Sequence, residues 1–219
     1  NPLSADLNVL RADLLYSGLQ AITYNINRKN NDLKLFEFGT SYFLDSTNDF
    51  GYGERKHISL FVTGRAVPEN PYGMNAKTDL SFLKAALLGI FDQCGIENIK
   101  TGDSTRSEFD FGLSFTLNGK ILAEAGSIKS SFVKKAGIVQ SVFYADIDRN
   151  ALTKAFKKRH IEYAEVSKFP AVRRDLALLL NAQVKYSEVE ELAYASEKKL
   201  LKEVNLFDIY SDEKLGGKK

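Results

Sequence analysis

Apolar residues recur at Leu15, Leu19, Ile22 and Ile26, a spacing that lays one stripe along one face of a helix. That helix is expected to begin near Ala12, after an irregular 1–11 lead, and to end in the polar run Asn27-Arg28-Lys29-Asn30-Asn31. The period then falls from helical to two. Phe36 and Phe38 alternate with Glu37 and Gly39, so 33–44 is expected to be a strand. Segment 45–55 is polar and contains glycine, which predicts a loop. Ile58, Leu60 and Val62 restore the alternation over 57–63, a second strand.

Segment 64–78 holds Pro68, Pro71 and Gly73 and reads as a long surface loop. Asp79 is placed to cap a second helix, in which Leu80, Leu83, Leu87, Ile90, Phe91 and Cys94 keep helical spacing before Gly95. Strand patterns follow at 111–117 and 120–125, joined by Asn118-Gly119, the strongest short hairpin signal. A strand is expected over 137–147 and a lysine-rich helix over 150–159. From Lys168 the character changes. Phe169-Pro170 punctuates the chain, 176–180 suits a buried strand, and Ser187-x-x-Glu190 reads as a capping box. The helix it opens would turn Val189, Leu192, Ala193 and Leu200 inward, and 204–210 is a further strand. A strand–helix–strand unit this small cannot cover both faces of its own sheet. The expected organisation is 1–165 as one domain and 166–219 as a truncated second one.

Composition narrows the classes. Of 219 residues, 44% are hydrophobic and 26% charged, with 15 Phe and 10 Tyr, which excludes wholesale disorder. No run approaches 18 apolar residues, so no membrane-spanning segment is expected. The lone Cys94 excludes a disulfide scaffold, and with only His57 and His160 it cannot complete a standard zinc site. The chain opens on Asn1-Pro2 without methionine and closes on Leu215-Gly216-Gly217-Lys218-Lys219, and no signal peptide is evident; it reads as a piece of a longer cytoplasmic protein. The net charge of +2 averages two different regions. Residues 1–150 carry 16 basic and 17 acidic side chains, net −1; residues 151–219 carry 14 and 11, net +3. The excess lies in Lys154, Lys157, Lys158, Arg159, Lys168, Arg173 and Arg174, against Glu162 and Glu165. A solvated face is the plain reading of such a run, and contact with phosphates the sharper one.

Two collinear sets of residues go further. Asn1-Pro2-Leu3-Ser4, Leu10-Arg11, Leu14-Leu15, Gly18-Leu19, Asn25-x-Asn27-Arg28 and Leu35-Phe36-Glu37-Phe38-Gly39 form the first. Phe169-Pro170-Ala171-Val172-Arg173-Arg174-Asp175-Leu176-Ala177, with Phe207-Asp208-x-Tyr210, form the second, and Asp79–Gly95 lies between. In order and spacing this resembles the beta subunit of bacterial phenylalanyl-tRNA synthetase over nearly the whole chain. The resemblance implies an α+β fold: a class II aminoacyl-tRNA synthetase-like antiparallel sheet with helices, a degenerate copy of the alpha subunit's catalytic domain. A partial ferredoxin-like β-α-β unit of the anticodon-binding domain would follow. It also implies an (αβ)2 heterotetramer with the alpha subunit, and tRNA-Phe, ATP and Mg2+ for the complete enzyme.

For this stretch itself, no catalytic, cofactor-binding or metal residue is expected. Gly51-Tyr52-Gly53-Glu54-Arg55 is the nearest thing to a nucleotide loop, but it precedes a strand rather than opening a helix. No Ser/His/Asp grouping is evident, with His57 at a strand start and His160 in a basic run, and Asp208 and Asp212 make no metal site. Arg11, Glu37, Phe38 and Gly39 are assigned to a subunit interface or to structure, Arg11 pairing with a carboxylate and Gly39 permitting close approach. Lys168, Arg173 and Arg174 are the expected tRNA contacts. The leading reading is an interaction module with Phe36, Phe38, Tyr42, Phe43 and the Leu15/Leu19 helix in its core and an apolar patch covered by the alpha subunit. Against it stand a free-standing RNA-binding module using 154–174 and an independent amino-acid-activating enzyme.

Overall fold

The computed structural model describes residues 8–71, 76–157, 163, 165–166, 168–210 and 218. The expectations placed on Asn1–Ser4, Gly73, Lys158, Arg159, His160, Asp212 and the closing 215–217 and 219 lie outside the described residues. The chain divides into two compact units, Asn1–Ile161 and Glu162–Lys219.

In the first unit, α1 (Leu15–Ile26) is followed by β1 (Leu33–Leu44) and β2 (Tyr52–Thr63). Next come α2 (Leu80–Gln93), β3 (Lys100–Asp103), β4 (Phe109–Leu117) and β5 (Lys120–Ile128), then α3 (Ser130–Lys135), β6 (Val142–Asp148) and α4 (Arg149–Lys157). All six strands join one antiparallel sheet in the order β1-β2-β6-β5-β4-β3. The period of two sorts its side chains onto two faces. On one face Val62, Ala145, Ile147, Ala123 and Phe115 pack under α2 (Leu83, Leu87, Phe91) and α4 (Leu152). On the other, Phe61, Tyr144, Val142 and Ile128 pack under Leu15, Leu19 and Ile22 of α1 and Val133 of α3. The expected mixed α+β architecture, an antiparallel sheet with helices, is what the chain adopts.

Several expectations are corrected. The 45–55 loop shrinks, because β2 begins at Tyr52 and its register with β1 runs unbroken from Leu44↔Tyr52 to Leu33↔Thr63. The residues Tyr52 to Arg55 are therefore strand. Gly53 sits there because a Cβ would come within 2.4 Å of the Phe43 ring, over which the Arg55 guanidinium also lies, at 4.5 Å. β6 starts at Val142, since 130–135 forms the unanticipated helix α3 and Gly137 turns the chain at φ +76°. β3, four residues long, has too little pattern to be read. The Asn118-Gly119 hairpin forms as expected, both residues at positive φ, and Asp79 caps α2 by accepting from Phe82 N at 2.8 Å. Phe36 and Phe38 are not core: they are 69% and 61% exposed, and Phe43 is also exposed. β1 is an edge strand, and α4 packs over β2 and β6 rather than over it.

The second unit contains α5 (Tyr186–Ser196). Its cap lies two residues ahead of the expected Ser187, where Lys185 N donates to Glu188 Oε1 at 2.9 Å. Val189 and Ala193 are half-buried, but Leu192 and Leu200 are exposed. Neither 176–180 nor 204–210 pairs as a strand among the described residues; an isolated bridge joins Asn181 to Lys218.

Candidate functional site

The α1 face of the sheet changes from apolar to polar along a sharp line. One register row reads Leu35, Phe61, Tyr144, Gly126, Gly112 across β1, β2, β6, β5 and β4. The next row reads Glu37, Ser59, Asp146, Glu124, Ser114. Each of these polar residues interrupts an apolar run, as in Phe36-Glu37-Phe38 and Ala123-Glu124-Ala125. That interruption is the signal a sequence reading could have used, but only the pairing of five strands brings the residues together.

Two arginines bracket the row. At the β1 end, Arg11 Nη1 donates to Glu37 Oε1 at 2.6 Å and Nε to Thr40 O at 2.9 Å, while Tyr42 N donates to Arg11 O at 2.9 Å. Gly39 makes room for this strap, since a Cβ would lie 2.5 Å from the Arg11 guanidinium and 2.5 Å from Leu14. Phe38 faces the opposite side of β1 and takes no part. Of the residues assigned from sequence to interface or structure, the fold thus brings together Arg11, Glu37 and Gly39 and sets Phe38 apart.

At the other end, Arg106 pairs with Asp13, with Asp146 Oδ2 at 3.4 Å and with Glu108 at 3.4 Å. Its guanidinium lies 5.1 Å from the Tyr144 ring centroid. Burial opposes its charge, but Tyr144, Asp13, Asp146 and Glu108 outweigh that and raise the pKa above the ordinary guanidinium value. Burial, reinforced by Asp146 and Asp13, also pushes the Tyr144 phenol well up, so it stays protonated and sits within 3.3 Å of Ser59 Oγ and 3.4 Å of Asp13 Oδ1. Ser104 Oγ donates to Glu124 Oε1 at 2.6 Å.

The network also overturns the view of His57 as an isolated strand-start residue. His57 lies inside β2, with Nδ1 2.9 Å from Asp146 Oδ1 and Nε2 2.7 Å from Ser41 Oγ. Ser41 and Asp146 are 16 and 89 residues away in sequence, joined only because β1, β2 and β6 are adjacent. The order Ser–His–Asp is that of an activated nucleophile. Yet Ser41 is 4% exposed and Asp146 is shared with Arg106, so the hydroxyl presents no face to a substrate. What the arrangement does is tie β1, β2, β6 and the strap before α1 into one set of hydrogen bonds.

Arg11 and Arg106 are both engaged by carboxylates, and a triphosphate laid on the row would meet Glu37, Asp146 and Glu124. Among the described residues, no three His, Cys, Asp or Glu side chains converge to hold a metal ion.

In the second unit, Lys168, Arg173 and Arg174 are all exposed. Arg173 Nε lies 3.3 Å from Asp175, and its guanidinium stands 5.6 Å from the centroid of the exposed Phe207 ring.

Residues 1–149 match the family model described as phenylalanyl tRNA synthetase beta chain CLM domain. The chain belongs to that family. Residues 167–219 match the ferredoxin-fold anticodon binding domain. Phenylalanine–tRNA ligase beta subunits are similar throughout: that of Bacteroides thetaiotaomicron is 43% identical over 100% of this chain and 28% of its own length. Those of Porphyromonas gingivalis and Streptococcus thermophilus are 34% and 28% identical, over 100% and 98% of this chain and 28% and 27% of their own. The chain therefore spans little more than a quarter of these relatives. Among solved structures, pyrrolysyl-tRNA synthetase from Desulfitobacterium hafniense is similar at 13% identity and a TM-score of 0.49, over 65% of this chain and 48% of that one.

Proposed function

We propose that residues 1–165 act as a non-catalytic module of a phenylalanine–tRNA ligase beta subunit and that 166–219 lead into its tRNA contact. The complete enzyme is taken to be a cytoplasmic (αβ)2 assembly that joins phenylalanine to tRNA-Phe with ATP and Mg2+. The match of both parts to domains of one subunit, in order along the chain, carries this reading. It also disfavours a free-standing RNA-binding module built on 154–174, several of whose residues lie outside the described set. The charge row supports a silent sheet face: a synthetase active site must leave cations free for phosphates, whereas here both arginines are neutralised within the fold.

In this reading Arg11, Glu37 and Gly39 hold β1 against the strap before α1, while Phe38 belongs to a surface for the alpha subunit. Lys168, Arg173 and Arg174 meet RNA phosphates. The test is phenylalanine-dependent pyrophosphate exchange and tRNA charging. The chain alone is expected to support neither, and the beta subunit with its alpha partner both. Exchange by the isolated chain, or full charging by alpha alone, would overturn the proposal.

A further inference from the structure

Thr40, Ser41 and Tyr42 of β1 are held from two sides. On the outer side, Thr40 O accepts from Arg11 Nε and Tyr42 N donates to Arg11 O. On the inner side, the Ser41 hydroxyl meets His57 Nε2 at 2.7 Å, and His57 Nδ1 meets Asp146 Oδ1 at 2.9 Å. Asp146 turns its other oxygen to Arg106, Arg106 pairs with Asp13, and Asp13 Oδ1 accepts from Leu15 N at 2.6 Å, where α1 begins. His57 thus stands in the middle of a chain of side chains running from an edge strand to a helix. Histidine is the residue type whose charge changes between about pH 5 and 8, so the state of this ring bears on the whole chain.

Its neighbours decide which nitrogen carries the proton. An ionised carboxylate only accepts, and Asp146 also faces the Arg106 guanidinium. Nδ1 therefore donates. In the neutral ring Nε2 is then bare, and the Ser41 hydroxyl donates to it. A proton added at Nε2 makes that atom a donor, and a hydroxyl oxygen accepts as readily as it donates. Only the hydroxyl hydrogen has to swing away. Both contacts survive, and the one to Asp146 becomes charge-assisted on both sides.

Charges of both signs face the ring. Asp146 and Asp148 come from β6, Asp148 directly opposite His57 in register, and Arg55 precedes His57 on the same face of β2. The Arg11 guanidinium, paired with Glu37, lies beside Gly39, the β1 residue opposite His57. Arg106, Asp13, Glu108 and the Tyr144 phenol lie beyond Asp146. The side chains of His57 and Asp146 are 15% and 16% exposed.

We infer that His57 is a two-state clasp: its Nδ1–H stays on Asp146, and only the bond between Nε2 and Ser41 reverses direction when the ring is charged. The order of groups that activates a nucleophile elsewhere fastens β1 beneath the strap here, with the same two contacts in either state.

Isotope-labelled histidine in the full-length protein tests this, with ring nitrogens read by long-range proton–nitrogen correlation and His57 assigned by the signals lost in His57→Gln. Above the ring's titration, Nδ1 is expected to be protonated and Nε2 bare; below it, both are protonated. A neutral ring protonated on Nε2, a mixture of tautomers, or a single charge state over the whole pH range of the folded protein overturns the proposal. Ser41→Ala is expected to keep the proton on Nδ1, and a move to Nε2 in that variant means that Asp146 does not fix the tautomer. Amide exchange at Ser41, whose N–H faces β2 because that of Tyr42 faces the strap, is then compared on the two sides of the titration. Corrected for the intrinsic rate, its protection is expected to change by less than about threefold. A loss of about tenfold or more with the ring charged means that protonation opens the clasp, and overturns the proposal.

Discussion

Two helical glycines separate packing from propensity. In an exposed helix interior, glycine is less favourable than alanine by about 0.5–1 kcal/mol. Gly89 in α2 meets that condition, with nothing within 4 Å of an added Cβ. Gly89→Ala is expected to raise stability by about that amount in urea unfolding. Gly18 in α1 has the same intrinsic preference, but its Cβ would lie 1.9 Å from the buried Phe61 ring. Overpacking of a filled core costs about 1–3 kcal/mol and exceeds the helical gain, so Gly18→Ala should destabilise by the same measurement. Burial decides between two arginines in a similar way. Arg106 has a side chain 12% exposed among Asp13, Asp146 and Glu108. Arg106→Ala leaves those carboxylates uncompensated, and a loss of about 3 kcal/mol is expected. Arg173→Ala removes an exposed pair with Asp175 and a contact with the exposed Phe207 ring, and its effect on stability should stay within about 1 kcal/mol.

The elements show why some of the molecule was legible in sequence and some was not. β1, α2 and the Asn118-Gly119 hairpin carry long periods or defined turn chemistry and form where the pattern puts them, while α1 keeps its expected apolar face but begins at Leu15 rather than near Ala12. The start of β2 was hidden because Tyr52-Gly53-Glu54-Arg55 has the composition of a loop, yet pairs fully with β1. α3 and β3 are too short for a period to register. The polar row was hidden for a different reason. Of Glu37, Ser59, Asp146, Glu124 and Ser114, only Glu37 stands out in sequence, and the meaning of the row lies in cross-strand register. One ion pair tests how β1 and β2 are closed. Asp32, ahead of β1, accepts from Arg65 N and Nε, both at 2.8 Å. Those bonds, the backbone one foremost, lower its pKa below the ordinary 3.8. A depressed carboxyl pKa adds stability above its unfolded value, and that stability is lost as pH falls through the folded value. Asp32→Asn should therefore cost well under about 1 kcal/mol near neutrality, because the pair is exposed to solvent. The difference from the unaltered protein should begin to shrink below about pH 4 in urea titrations and vanish only once the pH falls below the lowered folded value.

At the scale of the whole molecule, net charge says little about partners until it is divided. A region at −1 precedes one at +3, and in the second unit Lys168, Arg173 and Arg174 stand exposed beside the Arg173–Phe207 contact. Charge and stacking make different contributions to RNA binding, and salt separates them. Each phosphate neutralised releases counterions, so the slope of log K against log salt steepens by about 0.7–0.9 per contact. Stacking of a base on an aromatic ring contributes about 1–3 kcal/mol without displacing counterions. Filter binding of tRNA-Phe across a salt series should therefore distinguish two variants. Arg173→Ala with Arg174→Ala should weaken binding most at low salt and reduce the slope by about 2. Phe207→Leu should lower affinity by a constant factor at every salt concentration and leave the slope unchanged. If the double arginine variant shifts affinity with the slope intact, those arginines do not touch phosphates. If Phe207→Leu changes nothing, the ring beside Arg173 is not a base platform, and binding by this unit is electrostatic alone.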